Sequence, residues 1–189
     1  LTISFLVSGT CCSLFVLSPL LLADVQQLPS VWIGFAMVPG AVAAAIFGRK
    51  GGKLADAKGN SYVVYMATSL LFASFLLFST FTAASPLFIA AFLLLGYVGQ
   101  SFITVAISNS VSRTLPANQV GVGMGMLAMA NFIGQGIAIS IYGKVVDLGS
   151  TVVPSWNPLF SSMTGFIFSN MYFVLAGSQV VILGLYYVT

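Results

Sequence analysis

The sequence predicts an all-α membrane protein built as a bundle of six transmembrane helices. Of its 189 residues, 59% are hydrophobic and 5% are charged, whereas about a quarter of the residues in a soluble domain are charged. The mean hydropathy of +1.07 is correspondingly high. The apolar residues also gather in six stretches of 18 to 25 residues, and about 20 such residues let one helix cross a bilayer.

The predicted spans follow one another with short connections. Turn-forming residues at 24–30 and at 82–85 separate neighbouring spans, and connections of this length join antiparallel helices. The longest connection, residues 147–164, contains Pro154 and Trp156, and we expect the tryptophan to lie at a membrane interface. The predicted spans are residues 3–23, 31–48, 62–81, 86–108, 121–145 and 165–188.

The distribution of basic residues predicts the orientation in the membrane. The connection between the second and third spans holds Arg49, Lys50, Lys53 and Lys58. Lysine and arginine in short loops stay on the cytoplasmic side, and alternation of the spans places Arg113 on that side too. Both ends of the chain are then cytoplasmic. Lys144 falls on the outer side, where the nearby Asp147 makes it tolerable.

The composition argues against an enzyme. The chain has no histidine, and its three acidic residues are Asp24, Asp56 and Asp147, all near predicted helix ends. A His-based metal site and a Ser/His/Asp triad are therefore excluded within these residues. Cys11 and Cys12 are adjacent in the first span, and we interpret them as small apolar packing residues. We expect no metal, no cofactor and no nucleic-acid partner.

An abrupt charge cluster at residues 48–59 carries the most specific pattern in the chain. Gly51 and Gly52 permit close backbone approach and a helix stop, and Gly59 can adopt a positive φ. Asp56 can accept hydrogen bonds from the start of the next helix or from an arginine. A plain basic hairpin would explain the charges, but it does not require the glycines and the acid at these positions.

This cluster resembles the signature loop of the major facilitator superfamily, G-x-L-a-D-x-x-G. The matching positions are Gly52, Leu54, Ala55, Asp56 and Gly59. In that family the loop is a latch that holds one conformation of an alternating-access cycle, and its acid pairs across the interface between two six-helix halves. The resemblance therefore implies a conformational latch made of Gly52, Leu54, Asp56, Lys58 and Gly59.

The resemblance extends along the whole chain. Val38-Pro39-Gly40 in the second span, the latch loop and a glycine-rich fifth span are similar to the C-terminal half of tetracycline and multidrug exporters, the drug:proton antiporters of the fourteen-helix type. It implies a six-helix bundle that exports amphipathic drugs from a bacterial cell, and a missing N-terminal half. The absence of an initiator methionine also leads us to expect a longer protein. A metabolite transporter and a nontransporting receptor or scaffold remain alternatives.

The fourth span carries a polar stripe. Gly96, Gln100, Thr104 and Ser108 recur at intervals of four, and Tyr97 broadens the stripe. Residues four apart share a helix face, and in the family the first and fourth helices of each half line the central cavity. We therefore expect this face to contact substrate. The alternative is that Gln100 bonds a neighbouring helix.

Two amides stand on one face of the fifth span. Asn131 and Gln135 are four residues apart, and an amide surrounded by hydrocarbon must face a partner or a wet cavity. Structural bonding and contact with substrate are equally compatible with this pattern. Relatives of the tetracycline type often have an acid where Gln135 stands. The proton-titrating group is therefore expected mainly in the missing half, or at Asp24 and Asp56.

The fifth span also carries pairs of small residues. Gly121 with Gly125 and Gly134 with Ala138 are each four residues apart. Such pairs let helices approach closely in lipid. The resemblance adds a second interpretation, in which the stripe is a sliding surface against the absent half.

Overall fold

A computed structural model describes residues 2–82, 85–148, 156–158, 160 and 165–188. Six α-helices account for nearly all of the described chain, and that part contains no strand. Each helix is long and apolar enough to cross a membrane, so the predicted fold class is confirmed. The helices are α1 (Thr2–Asp24), α2 (Ser30–Lys58), α3 (Asn60–Thr80), α4 (Pro86–Thr114), α5 (Val120–Leu148) and α6 (Phe166–Val188).

The second helix differs most from its predicted bounds. The helix stop predicted at Gly51 and Gly52 is wrong, because α2 continues through both glycines to Lys58. It ends only at Gly59, whose φ of 89° is the predicted positive value. The hydrophobic run stops at Gly48, but lysine, arginine, leucine and alanine are good helix formers. The helix therefore continues where its apolar segment ends.

The helices pack in a defined order around a core centred on α1 and α3. α1 lies along α5, α2 lies along α4, and α3 lies against both α4 and α6. In the core, the ring of Phe78 stacks on that of Tyr172 at 4.8 Å between centroids, and the Tyr172 hydroxyl lies 3.0 Å from Ser18 Oγ. Only 11% of the apolar segments of α2 and of α5 are buried, against 61% for α1. These two helices thus keep broad faces unpartnered within the described chain.

Glycines allow the closest helix contacts. A Cβ on Gly51 would lie 2.8 Å from Phe102 Cδ1, which brings α2 against α4. A Cβ on Gly134 would lie 2.7 Å from the Phe5 carbonyl oxygen, which brings α5 against α1. The close-packing interpretation therefore holds for Gly134. Gly121 and Gly125 have no neighbour within 4 Å of the corresponding position and face open space in the described structure.

The connection before α6 is tied to the ends of α3 and α6. The Asn157 amide is buried and donates to Ser79 Oγ at 2.8 Å, while the backbone N–H of Trp156 donates to Asn170 Oδ1 at 2.7 Å. The Trp156 side chain is 63% exposed, and its interfacial position stays a prediction. Pro154, from the same predicted connection, lies outside the described residues.

Candidate functional site

A cavity of about 260 Å³ lies between α1, α4 and α5. Its walls combine amide, hydroxyl and thiol groups with a few apolar side chains, and none of its lining residues carries a charge. The polar lining residues are Ser4, Ser8, Cys11, Cys12, Gln100, Thr104, Ser108, Asn131 and Gln135. The cavity therefore gathers most of the polar residues that the sequence analysis selected.

The wall from α4 is formed by Gln100, Thr104 and Ser108. Thr104 Oγ1 donates to the Gln100 carbonyl oxygen at 2.8 Å, so this hydroxyl is satisfied by its own helix. The side-chain oxygen of Gln100 is buried and has no hydrogen-bond partner in the described structure. An unmatched buried acceptor is costly, and this oxygen therefore has free capacity for a hydrogen-bond donor.

Gly96 and Tyr97 were expected in the same wall, but the structure places both in packing contacts. A Cβ on Gly96 would lie 2.8 Å from Ser74 Oγ and 2.9 Å from Leu14 Cδ2. The Tyr97 side chain is buried, and its ring meets that of Phe15 edge-on at 5.1 Å. A stripe at intervals of four turns by about 40° per step on an α-helix. Gly96 therefore points about 120° away from Ser108. Tyr97 lies nearly in line with Thr104, but its ring packs behind Phe15, and it is Phe15 that lines the cavity.

The wall from α5 contains both predicted amides. Asn131 and Gln135 are half-buried and line the cavity one helical turn apart. Among the described residues neither side chain makes a hydrogen bond. Both amides can thus donate to and accept from a solute.

The wall from α1 was largely missed by the sequence analysis. Ser4, Ser8, Cys11 and Phe15 line the cavity, and their spacing of four, three and four residues is that of one helix face. This periodicity was the available signal. Ser8 Oγ donates to the Phe5 carbonyl oxygen at 2.9 Å, so its hydroxyl is partly satisfied by its own helix.

The two cysteines provide a chemical test of access to the cavity. Cys11 and Cys12 are 5% and 8% exposed and both line it, so we expect a small uncharged maleimide to label them slowly in membranes. Thr104→Trp should fill the cavity and slow labelling further, whereas Ser112→Trp, on an exposed part of the same helix, should not. Mass spectrometry of peptides from residues 1–24 measures the rate. Equal rates in wild type and Thr104→Trp would show that the thiols are reached by another route.

At the far end of α2 and α4, one ion pair links the two helices. Arg113 Nη2 donates to Asp56 Oδ1 at 2.7 Å, and the side chains are 57% and 70% exposed. The arginine partner predicted for Asp56 is therefore present, and it belongs to the same six-helix unit. An exposed pair of this kind contributes less than about 1 kcal/mol, so it can be broken and remade.

The other residues of the signature pattern surround this ion pair. Leu54 packs against the core, and Lys58 Nζ lies 4.8 Å from the centre of the Tyr62 ring. Gly52 has open space beside it, and Gly59 forms the single-residue turn to α3. The signature pattern thus forms a tight turn between α2 and α3, with Asp56 exposed just before it.

Six apolar spanning helices of this kind define an integral multi-pass membrane protein. The sequence-family model described as Major Facilitator Superfamily matches residues 1–139 of the chain. The chain therefore belongs to this superfamily. Among solved structures, it is similar to the xylose transporter XylE from E. coli in its inward-open conformation, with a TM-score of 0.76 and 16% sequence identity. The alignment covers 100% of this chain and 46% of that one. The chain therefore has the fold of about half of that transporter, and proteins of this family and fold are generally not enzymes.

Proposed function

We propose that the chain is the C-terminal six-helix half of a secondary active transporter that exports an amphipathic, tetracycline-like drug by alternating access. The observation that carries this proposal is the uncharged cavity between α1, α4 and α5. It combines the free amides of Gln100, Asn131 and Gln135 with the ring of Phe15. Binding sites for drug-sized molecules typically pair apolar walls with a few polar groups.

The exposed faces of α2 and α5 support a missing partner of similar size. Only 11% of the apolar segments of α2 and of α5 is buried, against 39–61% in the other four helices, and the structure of XylE is about twice as long as this chain. Gly121 and Gly125 form a strip on α5 that has no side chains and no neighbours in the described structure. A second six-helix half packed against these faces would complete the cavity and could rock against the strip.

A transporter of a metabolite is the second candidate within the same class. Amide side chains bind hydroxyl groups as well as drug carbonyls, and the similar solved structure described above is that of a xylose transporter. The two candidates differ in whether the apolar residues of the cavity contact the substrate, as they would for an amphipathic drug but not for a sugar. Proteoliposomes containing the full-length protein, tested with tetracycline and with xylose under an imposed pH gradient, distinguish them. Movement of xylose without tetracycline would overturn the drug assignment.

We also propose that transport is coupled to protons, and that the residue which gains and loses the proton lies outside the cavity described here. The cavity lining described here contains no carboxylate, and Gln135 cannot exchange a proton. Asp24 and Asp56 are exposed at helix ends. The coupling acid therefore belongs mainly to the missing half, with these two aspartates as the candidates within this chain.

The proposed setting is a bacterial cell membrane with both chain ends in the cytoplasm. Five of the six basic residues fall on one side of the bundle, which is the pattern that fixes cytoplasmic loops. The basic residues on that side are Arg49, Lys50, Lys53, Lys58 and Arg113. A nontransporting receptor or scaffold would share this orientation, and it would move neither tetracycline nor xylose in proteoliposomes.

The Asp56–Arg113 pair gives a prediction for the latch. We expect Asp56→Asn to leave the melting temperature nearly unchanged, because an exposed pair contributes under about 1 kcal/mol. The transport rate should change by roughly fivefold, since the same energy shifts a conformational equilibrium by that factor. Melting curves and transport in proteoliposomes measure the two effects.

Two further variants distinguish the effect of the ion pair from the effect of either residue alone. Arg113→Gln should reproduce the effect of Asp56→Asn, and the exchanged pair Asp56→Arg with Arg113→Asp should restore transport in part. Wild-type transport by Asp56→Asn would remove the latch from the proposed mechanism. It would not affect the assignment of the cavity.

A further inference from the structure

A glutamine is buried near the middle of α6 and bonds to α1. Gln179 is 1% exposed, and its side-chain nitrogen donates to Thr10 Oγ1 at 3.1 Å. The Thr10 hydroxyl donates in turn to the Val7 carbonyl oxygen at 2.9 Å. A short chain of hydrogen bonds therefore links the side chain of α6 to the backbone of α1.

This link is accompanied by a second polar contact between the same two helices. The hydroxyl oxygens of Tyr172 and Ser18 lie 3.0 Å apart. Tyr172 precedes Gln179 by seven residues, and Ser18 follows Thr10 by eight, so the two contacts lie about two turns apart on each helix. α1 is thus fastened to α6 at two heights by polar groups in a core that is otherwise mainly apolar.

Thr10 lies on the side of α1 that faces away from the cavity. The α1 wall of the cavity is centred between Ser8 and Cys11. At about 100° per residue, Thr10 lies roughly 130° around the helix from that centre. The bond from Gln179 therefore holds α1 from behind its cavity wall. The distance between α1 and α6 at this height determines how far the wall extends into the cavity.

The amide of Gln179 is only half satisfied by this bond. Its side-chain oxygen is buried and has no hydrogen-bond partner in the described structure. Exchanging the two ends of the amide would leave the nitrogen unpaired instead. A buried polar atom without a partner costs at least as much free energy as one ordinary hydrogen bond contributes. Gln179 therefore does not stabilise the bundle on balance.

We propose that Gln179 is a positioning residue for the cavity and acts through Thr10. The bond holds α1 against α6 with Ser8 and Cys11 in the cavity wall. Because the unpaired oxygen offsets the energy of this bond, α1 can move away from α6 at little cost when the cavity changes shape. This role rests on the proposed function of the cavity, but the position of α1 is measurable without a substrate.

The test measures thermal unfolding of the full-length protein in detergent and the rate at which a small uncharged maleimide labels Cys11 and Cys12. Gln179→Met removes the bond and the unpaired oxygen together. We expect an unchanged or higher melting temperature, because methionine is apolar and has a similar length. Labelling should become roughly fivefold faster, which is the factor that corresponds to one ordinary hydrogen bond.

Variants of Thr10 and a control on α6 distinguish positioning from simple packing. Thr10→Val leaves both ends of the Gln179 amide unpaired, so it should lower the melting temperature and yet accelerate labelling as much as Gln179→Met. Thr10→Ser keeps the hydroxyl and should label at the wild-type rate. Ser178→Ala should change neither measurement, because Ser178 Oγ donates to the Leu175 carbonyl oxygen of its own helix.

Labelling of Gln179→Met at the wild-type rate would overturn the proposal. A fall in its melting temperature as large as that of Thr10→Val would also overturn it, since Gln179 would then be an ordinary stabilising contact. Faster labelling in a protein that transports neither tetracycline nor xylose would support the positioning role and contradict the proposed function. The labelling and transport assays therefore distinguish failure of one proposal from failure of the other.

Discussion

Replacing Gln100 with methionine is expected to weaken substrate binding by about 10- to 100-fold. The buried side-chain oxygen of Gln100 has no partner in the described structure, and it lines the cavity between α1, α4 and α5. A hydrogen bond from the substrate would satisfy this oxygen, and one such bond contributes about 1–3 kcal/mol when a buried group depends on it. Methionine keeps the length and the unbranched shape of the side chain but cannot replace this bond. The apparent affinity in proteoliposomes measures the loss.

A glutamine outside the cavity provides the control for this substitution. Gln119 is exposed at the turn before α5, and Gln119→Met should leave the apparent affinity unchanged. A Gln100→Met protein with normal affinity and reduced turnover would contradict contact with substrate. That outcome would favour the alternative in which Gln100 bonds a neighbouring helix in another conformation. The two readouts therefore separate a binding group from a structural one.

The six helices could be predicted because the bilayer imposes a simple constraint. A chain in hydrocarbon must satisfy its backbone hydrogen bonds within each segment, so length and hydropathy suffice to find the spans. The ends of the helices follow a different rule. α2 continues ten residues past Gly48, to Lys58, because its charged residues favour helix in water as well. Hydropathy locates the membrane portion of a helix but not its full length.

The cavity could be predicted only where a helix face was visibly polar. Gln100, Asn131 and Gln135 were found because amides are rare in apolar spans. The α1 wall was missed because serine and cysteine fit equally well in a packed core and beside a cavity. Gly96 belongs to the same pattern as Gln100 and yet packs against Leu14 and Ser74. Which part of a stripe faces the cavity depends on how the helix crosses its neighbours, and one sequence does not encode this locally.

Gly134→Val is expected to be the most damaging single substitution for the packing of α5 on α1. The added Cβ would meet the Phe5 carbonyl oxygen and Ser8 Oγ at 2.7 Å each. The Phe5 oxygen belongs to the backbone of α1 and cannot turn away, so the two helices must separate. Overpacking of this kind typically costs about 1–3 kcal/mol. Thermal unfolding of the full-length protein in detergent measures the loss of stability.

Gly177→Val, in the middle of α6, is the matched control, because a Cβ at Gly177 has no neighbour within 4 Å in the described structure and α6 is not one of the two helices assigned to the missing half. Equal destabilisation by both variants would show that helix propensity, not close packing, determines the effect.

The contact of Gly134 with Phe5 and Ser8 also affects the cavity, because Gly134 directly precedes Gln135, and Gln135 and Ser8 both line it. The missing side chain at residue 134 therefore sets the width of the cavity between α1 and α5. Gly134→Val should also alter the apparent substrate affinity, while Gly177→Val should leave it unchanged.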